Sequence, residues 1–256
     1  MLGFIFWGGL PFAVFVSGCM LVGLWEFYRM MELKGFSVQK VVGFVIPPIV
    51  AIALGAHHFR FAAALGVVGL LSVPAIELKK RDPQGSLGDS SVTVMGMVYV
   101  GFLLCHAVLI REYLGEDRVG IFFLLLSLAG SMLCDTGAYF IGRAYGKRKL
   151  SPHISPGKTV EGSIGGIAGG IFGVYLFKAI MDLFFVTPLN WKQATLLGAI
   201  LAIVGMIGDL VESMFKRDAG IKDSGNIFPG HGGMLDRLDS PLFTLPVTFY
   251  FALYVL

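Results

Sequence analysis

The sequence has 256 residues, of which 55% are hydrophobic and 14% are charged, and its mean hydropathy is +0.77. Soluble domains carry about 25% charged residues, so this composition excludes an ordinary soluble protein and predicts a polytopic membrane protein. The formal net charge of +3 is too small to indicate nucleic-acid binding. The three cysteines have no paired spacing, so they indicate neither a disulfide framework nor a zinc site.

Apolar segments recur along the whole chain. A helix needs roughly 20 apolar residues to cross a bilayer, and an all-α bundle of about eight to nine transmembrane helices is therefore predicted. The segments lie at about residues 2–28, 41–56, 61–78, 91–110, 119–133, 161–183, 194–212 and 240–256. The second and fifth are short, so each either extends into a neighbouring loop or is a broken helix. No long polar region remains for a soluble domain, and residues 1–256 are predicted to form one transmembrane domain.

The end of the first segment and the loops between segments carry information on orientation. Trp25, Tyr28 and Arg29 are interpreted as interface anchors, with Glu26 as a minor site candidate. Fifteen of the 20 Lys and Arg residues fall in alternate loops, and four fall in the intervening loops. Basic loops stay on the cytoplasmic side of a bacterial inner membrane. We therefore expect the charged loops at 134–159 and 213–239 to face the cytoplasm.

The first of these charged loops begins with an acid at the membrane boundary. Asp135 follows an apolar run, and Tyr139 lies on the same helical face one turn later. An ionisable residue at that depth is costly and usually functional. We predict that both residues contribute to substrate binding.

The same loop ends in a sequence that suits phosphate. Ser155, Lys158 and Thr159 belong to a Ser-Pro-Gly-Lys-Thr segment, and Glu161 then opens the next span. Backbone N–H groups and the helix dipole face an anion at such a helix start, and the lysine adds a positive charge. The segment is therefore predicted to be a phosphate-binding loop. The alternative is a basic connector that only sets the orientation.

The helix before the second charged loop carries another deep acid. Asp209, Glu212, Ser213 and Lys216 share one helical face, with Asp209 about two turns deeper than Lys216. An acid at that depth needs a cation or a basic partner. Asp209 is therefore expected either to form an internal ion pair with a Lys or Arg side chain or to bind a metal ion.

The second charged loop concentrates basic and acidic residues beside glycines. Asp236 and Asp239 stand at i and i+3 on one helical face, next to a cluster of Lys and Arg. Basic side chains neutralise phosphate, and clustered carboxylates suit Mg²⁺. Asp209, Asp236 and Asp239 are the predicted metal ligands. The alternative is a solvated loop between two helices.

The spacing within this loop forms a longer pattern. It consists of Ser213, Lys216-Arg217, Lys222-Asp223, Pro229, His231-Gly232-Gly233 and Asp236-Arg237-Leu238-Asp239. The pattern resembles the signature of the phosphatidate cytidylyltransferase family, and the run from Asp135 through the Ser-Pro-Gly-Lys-Thr segment resembles the second block of that family. The resemblance implies transfer of CMP from CTP to phosphatidate at a lipid bilayer, with Mg²⁺ as cofactor. It leaves open a second cation and a homodimer.

Residue chemistry and the resemblance together give a set of predicted site residues. The predicted catalytic residues are Asp209, Lys216, Arg217, Lys222, Asp223, His231, Asp236, Arg237 and Asp239. The predicted substrate-binding residues are Asp135, Tyr139, Ser155, Lys158, Thr159, Glu161 and Ser213. Members of the family usually open with a basic stretch and a full first span, whereas few residues precede Gly9 here. This leaves open whether the first span is complete.

Two other functions were weighed against this one. A CDP-alcohol phosphotransferase would show the pattern DGxxAR…GxxxDxxxD, which the sequence lacks. An ion-coupled secondary transporter would use intramembrane acids such as Asp135 and Asp209, together with glycine-rich broken helices. A transporter places its acids midway through the membrane, whereas these acids run into basic loops on one predicted face. This difference favours the cytidylyltransferase, and the transporter is the alternative function.

Overall fold

The computed structural model describes residues 2–80, 82–114, 117–227 and 232–256. Its helices are α1 Leu2–Trp7, α2 Gly9–Leu33, α3 Lys40–Gly55, α4 Phe59–Glu77, α5 Ser86–Gly96, α6 Leu103–Tyr113, α7 Asp117–Tyr145, α8 Val160–Met181, α9 Trp191–Asp218 and α10 Leu235–Val255. A π-helical segment, Met97–Phe102, joins α5 to α6. Strands β1 Lys149–Ser151 and β2 Ser155–Thr159 pair as an antiparallel hairpin. The predicted all-α fold is confirmed, and the hairpin is an unpredicted addition to it.

Each predicted span falls on a helix. Within the part of the chain that the structure describes, seven helices are long and apolar enough to cross a membrane, and Lys40–Gly55 is a shorter apolar helix. The fifth segment extends well beyond residue 133, because α7 continues to Tyr145. The first segment breaks between α1 and α2 at Gly8, whose φ of 70° suits glycine. The polytopic membrane fold is confirmed, with a span number close to the predicted one.

The chain divides into two compact units. Unit 1 comprises Met1–Tyr113 and Asp218–Leu238, and unit 2 comprises Leu114–Arg217 and Asp239–Leu256. Helix α10 therefore begins in unit 1 and continues in unit 2. The single transmembrane domain expected from the sequence stays a prediction.

Helix α2 supplies much of the core of unit 1. Its buried face includes Leu24, Phe27 and Tyr28, so the interpretation of Tyr28 as an interface anchor was wrong. The hydroxyl group of Tyr28 donates to the carbonyl oxygen of Thr93 over 2.9 Å. Its ring fills space where α3 and α5 carry glycines, since a Cβ at Gly43 or Gly96 would lie within 2.5 Å of a Tyr28 side-chain atom. The same buried face of α2 carries Glu26.

Helices α7 and α8 of unit 2 pack with their backbones in close approach. A Cβ at Gly169 would lie 2.3 Å from the carbonyl oxygen of Leu133, and one at Gly165 would lie 2.9 Å from that of Gly137. Small residues allow such packing between helices in a membrane, where dispersion replaces the hydrophobic driving force. The glycines of α8 therefore place its N-terminal end directly beside the last turns of α7.

Helices α8 and α9 pack against each other as an antiparallel hairpin. The hydroxyl oxygens of Tyr175 and Thr195 lie 2.6 Å apart near the turn, and Gly170 meets Gly198 further along. Helix α10 joins this layer where the hydroxyl group of Ser240 donates to the carbonyl oxygen of Gly205 over 3.2 Å. The N-terminal end of α8 and the C-terminal end of α9 thus lie at the same end of unit 2.

Candidate active site

Unit 2 encloses a cavity of about 530 Å³ among α7, β2, α8 and α9. Its volume lies within the range of small-molecule sites, about 300–1,000 Å³. The polar side chains that matter for its chemistry are those of Asp135, Tyr139, Arg143, Lys158, Thr159 and Asp209. All of these except Arg143 were predicted from the sequence as site residues. The cavity therefore joins residues of the first predicted charged loop, 134–159, to Asp209, which lies on the helix that leads into the second.

An ion pair lies in the wall of this cavity. The Nζ atom of Lys158 stands 2.6 Å from Oδ2 of Asp209, and both side chains are partly exposed. The hydroxyl group of Ser213 donates to Oδ1 of Asp209 over 3.3 Å. The internal ion pair that the sequence offered as one explanation for Asp209 is thus present. It holds the lysine ammonium group, whose Nζ atom is itself buried, within the wall of the cavity.

Two further carboxylates interact electrostatically with this pair. Asp135 on α7 interacts electrostatically with both Asp209 and Lys158. Asp239, in the part of α10 that belongs to unit 2, interacts electrostatically with Asp209 and Asp135. Carboxylates that repel one another at short range favour the binding of a cation. This part of unit 2 is therefore rich in the oxygen ligands that hard divalent cations prefer.

The segment expected to be an open phosphate loop is instead a β-hairpin. Ser155 pairs with Ser151 and Thr159 pairs with Lys149, so β2 takes part in a backbone ladder. The side chain of Thr159 caps α8 by accepting the N–H of Gly162 over 3.1 Å. The prediction of a loop was wrong, since residues 155–159 form a strand. The short polar segment shows no alternating apolar pattern from which a strand could be predicted. Lys158 nevertheless reaches the cavity from this strand.

Two contacts fix the hairpin within unit 2. The carboxylate of Glu161 accepts the backbone N–H groups of Lys147 and Arg148 at 3.0 Å and 3.1 Å. The Nε atom of Arg217 donates to the carbonyl oxygen of Ile154 over 3.3 Å, which joins the hairpin to the end of α9. Glu161 and Arg217 therefore have structural contacts, and their predicted roles toward substrate stay predictions.

A second ion pair lies on α9, nearer its C-terminal end. Lys216 Nζ stands 2.6 Å from Oε2 of Glu212, and both residues are buried. The sequence placed these two residues on one helical face and predicted that the lysine neutralises phosphate. The structure gives that lysine an acidic partner on its own helix. Its action on phosphate stays a prediction.

The remaining predicted catalytic residues belong to unit 1, where Asp236 organises a loop. Its Oδ2 atom accepts the N–H of Ser224 at 3.0 Å, the hydroxyl group of Ser224 at 2.9 Å and the N–H of Gly233 at 2.7 Å. Lys222, Asp223 and Arg237 are exposed. His231 lies outside the described residues. The catalytic roles of these residues stay predictions.

Comparison with known proteins places the chain in a family. The model of the cytidylyltransferase family matches residues 1–255. The chain belongs to the cytidylyltransferase family. The resemblance inferred from the charged loops is thereby confirmed, and the transporter alternative is not supported.

Individual relatives of this cytidylyltransferase match along most of their length. The chain is 34% identical to a phosphatidate cytidylyltransferase of Bacillus subtilis, over 95% of the chain and 89% of the relative. It is 37% identical to the uncharacterized protein YnbB of Escherichia coli, over 81% of the chain and 68% of the relative. It is 31% identical to a phosphatidate cytidylyltransferase of Synechocystis, over 97% of the chain and 90% of the relative.

Two charged residues of the cytidylyltransferase stand out in the structure although the sequence gave them little weight. Arg143 lines the cavity of unit 2, and its Nη1 atom donates to the Tyr139 hydroxyl over 2.9 Å. Its spacing of four from Tyr139 was the available signal, because α7 had to continue past residue 133 for the two to meet. Glu26, a minor candidate, is fully buried in unit 1 and contacts the loop that Asp236 organises.

Proposed function

We propose that this chain transfers CMP from CTP to phosphatidate, giving CDP-diacylglycerol in the bilayer and releasing pyrophosphate. The observation that carries the proposal is the match to two phosphatidate cytidylyltransferases over 95% and 97% of the chain. The cavity of unit 2 supports it, because its wall combines cations for phosphate with carboxylates for a metal ion. A membrane-embedded fold also suits a lipid acceptor.

The reaction itself needs few side chains to move protons. A phosphate oxygen of phosphatidate attacks the α-phosphorus of CTP, and the bond from that phosphorus to the oxygen bridging to the β-phosphate breaks. Pyrophosphate leaves with the electron pair of that bond. A phosphate monoester has its second pKa at about 6, so the nucleophile is already ionised at neutral pH. The barrier lies in bringing two polyanions together and in stabilising the leaving group.

The cations of the cavity address that barrier. Lys158 is held in place by Asp209, and Arg143 is held by the Tyr139 hydroxyl. We assign to both the binding of phosphate oxygens, with the arginine able to contact two oxygens at once. Their fixed positions mean that little reorganisation is needed when the substrates bind, which is the main source of electrostatic catalysis.

We also propose that Mg²⁺ binds beside Asp209 and Asp239 of unit 2. Among the described residues, no group of three or more His, Cys, Asp or Glu is already arranged around a metal position. Mg²⁺ commonly binds one or two carboxylates and completes its octahedron with water and substrate phosphates, and Asp209 and Asp239 are the carboxylates proposed here. When bound, Mg²⁺ would neutralise phosphate oxygens and favour the departure of pyrophosphate. In unit 1, Oδ2 of Asp236 already accepts the backbone N–H groups of Ser224 and Gly233 and lies within reach of the Ser224 hydroxyl group.

The proposed location is a bacterial inner membrane with the site facing the cytoplasm, where CTP is made. The support is the bias of Lys and Arg toward alternate loops, fifteen against four. The two phosphatidate cytidylyltransferases named above are bacterial proteins. Three exposed basic residues directly before and at the start of β1, Lys147, Arg148 and Lys149, would then lie at an anionic leaflet.

The function can be tested with purified protein in mixed micelles. CTP labelled in the cytosine ring is supplied with phosphatidate, with diacylglycerol, or with no lipid acceptor. We expect label in the chloroform-soluble product with phosphatidate alone, because diacylglycerol has the same chains but no nucleophilic phosphate. Equal labelling with diacylglycerol, or none with phosphatidate, would contradict the proposal.

A further inference from the structure

Glu26 on α2 is a fully buried acid, with 0% of its surface exposed. Its carboxylate accepts the backbone N–H groups of Met234 at 3.0 Å and Leu235 at 2.7 Å. It also accepts the hydroxyl group of Ser224 at 3.0 Å. These partners lie about 200 positions away in the sequence. One acid thus joins α2 to both ends of the segment 224–235.

The location of these donors explains why a buried carboxylate is stable there. Leu235 is the first residue of α10, and the first N–H groups of a helix lack partners within the helix. A carboxylate satisfies them and also interacts favourably with the positive end of the helix dipole. Glu26 therefore caps α10 from a different helix, and its own burial is compensated by hydrogen bonds with three donors.

Two glycines of the loop are required by this contact. A Cβ at Gly233 or at Gly225 would lie 2.3 Å from Oε1 of Glu26. Gly232 has a different reason to be glycine, since its φ is +80°. The second glycine of the His-Gly-Gly motif thus leaves room for Glu26, while the first allows the backbone turn.

Glu26 and Asp236 also share one partner. Oγ of Ser224 lies 3.0 Å from Oε2 of Glu26 and 2.9 Å from Oδ2 of Asp236, and its single proton can serve only one of them at a time. Both acids are thus within hydrogen-bond distance of the same serine hydroxyl group. A change in the position of Glu26 is therefore passed directly to the predicted catalytic residue Asp236.

We propose that Glu26 is a positioning residue that fixes the first turn of α10, and with it Asp236, for nucleotidyl transfer. The inference rests on the proposed function. Glu26 itself acts through the loop rather than on substrate. Loss of its contacts should therefore lower the turnover number of folded enzyme and leave the rest of α2 intact.

The test compares Glu26→Gln with Glu32→Gln. Both substitutions replace an acid of α2 by its amide, but Glu32 is 39% exposed by side chain and pairs with Lys40 at the surface. Glutamine at position 26 keeps the shape and loses one of the two acceptor oxygens. Gly233→Ala disturbs the same contact from the loop side. For each variant, kcat per folded molecule, KM for both substrates and the unfolding midpoint are measured in detergent.

We expect kcat to fall about 10- to 100-fold in Glu26→Gln and in Gly233→Ala, as for other residues that orient a catalytic group. KM values should change less than kcat, and Glu32→Gln should stay within about twofold of wild type, as an exposed ion pair contributes little. A Glu26→Gln enzyme that keeps its kcat per folded molecule, whatever its unfolding midpoint, would show that the role is structural alone and overturn the proposal.

A second readout separates this inference from the proposed function. Amide hydrogen exchange is compared between wild type and Glu26→Gln in peptides covering 218–227 and 232–245. We expect faster exchange there and unchanged exchange in α4. If wild type makes no CDP-lipid, the proposed function fails, and hydrogen exchange alone decides the positioning. Unchanged exchange at the start of α10 would then overturn it.

Discussion

The two cations in the wall of the unit 2 cavity differ in how they are held. Lys158 is paired with the carboxylate of Asp209, which offsets part of its charge. The hydrogen bond from Arg143 to the neutral hydroxyl group of Tyr139 leaves the charge of the guanidinium group uncompensated by that partner. Because phosphate binding replaces water at the guanidinium group without breaking an ion pair, Arg143 should contribute strongly to affinity.

We therefore predict that Arg143→Ala raises the KM of one substrate by about 10- to 100-fold, the range for loss of a charge-assisted hydrogen bond. Arg143→Lys should recover part of this loss, because lysine keeps the charge but not the bidentate geometry. Arg148→Ala is the matched control, since Arg148 is an equally exposed arginine that precedes β1 and is not among the residues that line the cavity. Separate KM measurements for CTP and phosphatidate identify which phosphate is bound. Equal, small effects of Arg143→Ala and Arg148→Ala would rule out the assignment.

For single residues, the sequence could predict membership of the site wherever local spacing indicated it. Asp135, Lys158 and Asp209 were predicted because each is a charge at the end of an apolar run or within a recognisable motif, and all three line the cavity. The environment of Glu26 was beyond prediction, because its partners are about 200 residues away and depend on how α10 packs. Tertiary contacts of that kind leave no periodic trace in the sequence.

The close packing of helices α7 and α8 depends on glycines, which have no side chains. At Gly169 an added Cβ would meet backbone, the carbonyl oxygen of Leu133, which cannot rotate away. The helices would have to separate, and close packing is what stabilises such a pair in a membrane. The position of Lys158 relative to α7 depends on this pair, because β2 leads directly into α8.

Gly169→Ala should therefore lower the free energy of unfolding by about 1–3 kcal/mol, the usual cost of overpacking. The control is Ile164→Ala on the same helix, where the side chain is exposed in unit 2. Thermal or denaturant unfolding in detergent measures both variants. A Gly169→Ala protein as stable as Ile164→Ala would show that α7 and α8 are less closely packed than described.

The connection between α8 and α9 is fixed by a buried lysine. The Nζ atom of Lys178 lies 2.6 Å from Oδ2 of Asp182, 2.8 Å from Oγ1 of Thr187 and 4.7 Å from the ring centre of Trp191. Burial by itself would raise the pKa of the Asp182 carboxyl group, but hydrogen bonds from Lys178 and Thr187 outweigh burial and lower that pKa below its ordinary value. The ionised carboxylate therefore stabilises the folded state.

This lowered pKa predicts a defined pH dependence. Asp182 contributes its stability above the ordinary pKa of 3.8, and the contribution is lost as pH falls through the lower pKa of the folded state. The unfolding midpoints of wild type and Asp182→Asn should therefore differ above about pH 5 and converge in stronger acid. Activity should be retained in Asp182→Asn, since the residue lies at the other end of α8 from Lys158. A difference in midpoint that does not change with pH would contradict this assignment.

For the elements, the sequence predicted the helices well because apolar runs of membrane length admit few other structures. The extension of α7 to Tyr145 is one of the two outcomes expected for the short fifth segment, whereas the break at Gly8 had no signal in the apolar pattern. The β-hairpin depends on contacts made by Glu161 and Arg217, which no local pattern reveals.

For the whole molecule, the predicted orientation can be tested with single cysteines in a background lacking Cys19, Cys105 and Cys134. Leu150→Cys and Asn226→Cys fall in the two charged loops, and Val186→Cys falls in the loop between α8 and α9, where Val186 is 95% exposed. We expect an impermeant thiol reagent to label Val186→Cys alone in intact cells, and all three after lysis. Labelling of Leu150→Cys in intact cells, or different behaviour of the two loop positions, would contradict the orientation.

The most direct measurement of the central claim follows the fate of individual phosphorus atoms of CTP. Purified protein is given phosphatidate and CTP labelled at either the α- or the γ-phosphorus. We predict that the α-label enters the lipid while the γ-label leaves as pyrophosphate in equal amount, and that Asp209→Asn lowers both by about 100-fold or more through loss of electrostatic preorganisation. Transfer of the γ-label to lipid, or full activity of Asp209→Asn, would contradict nucleotidyl transfer at this cavity.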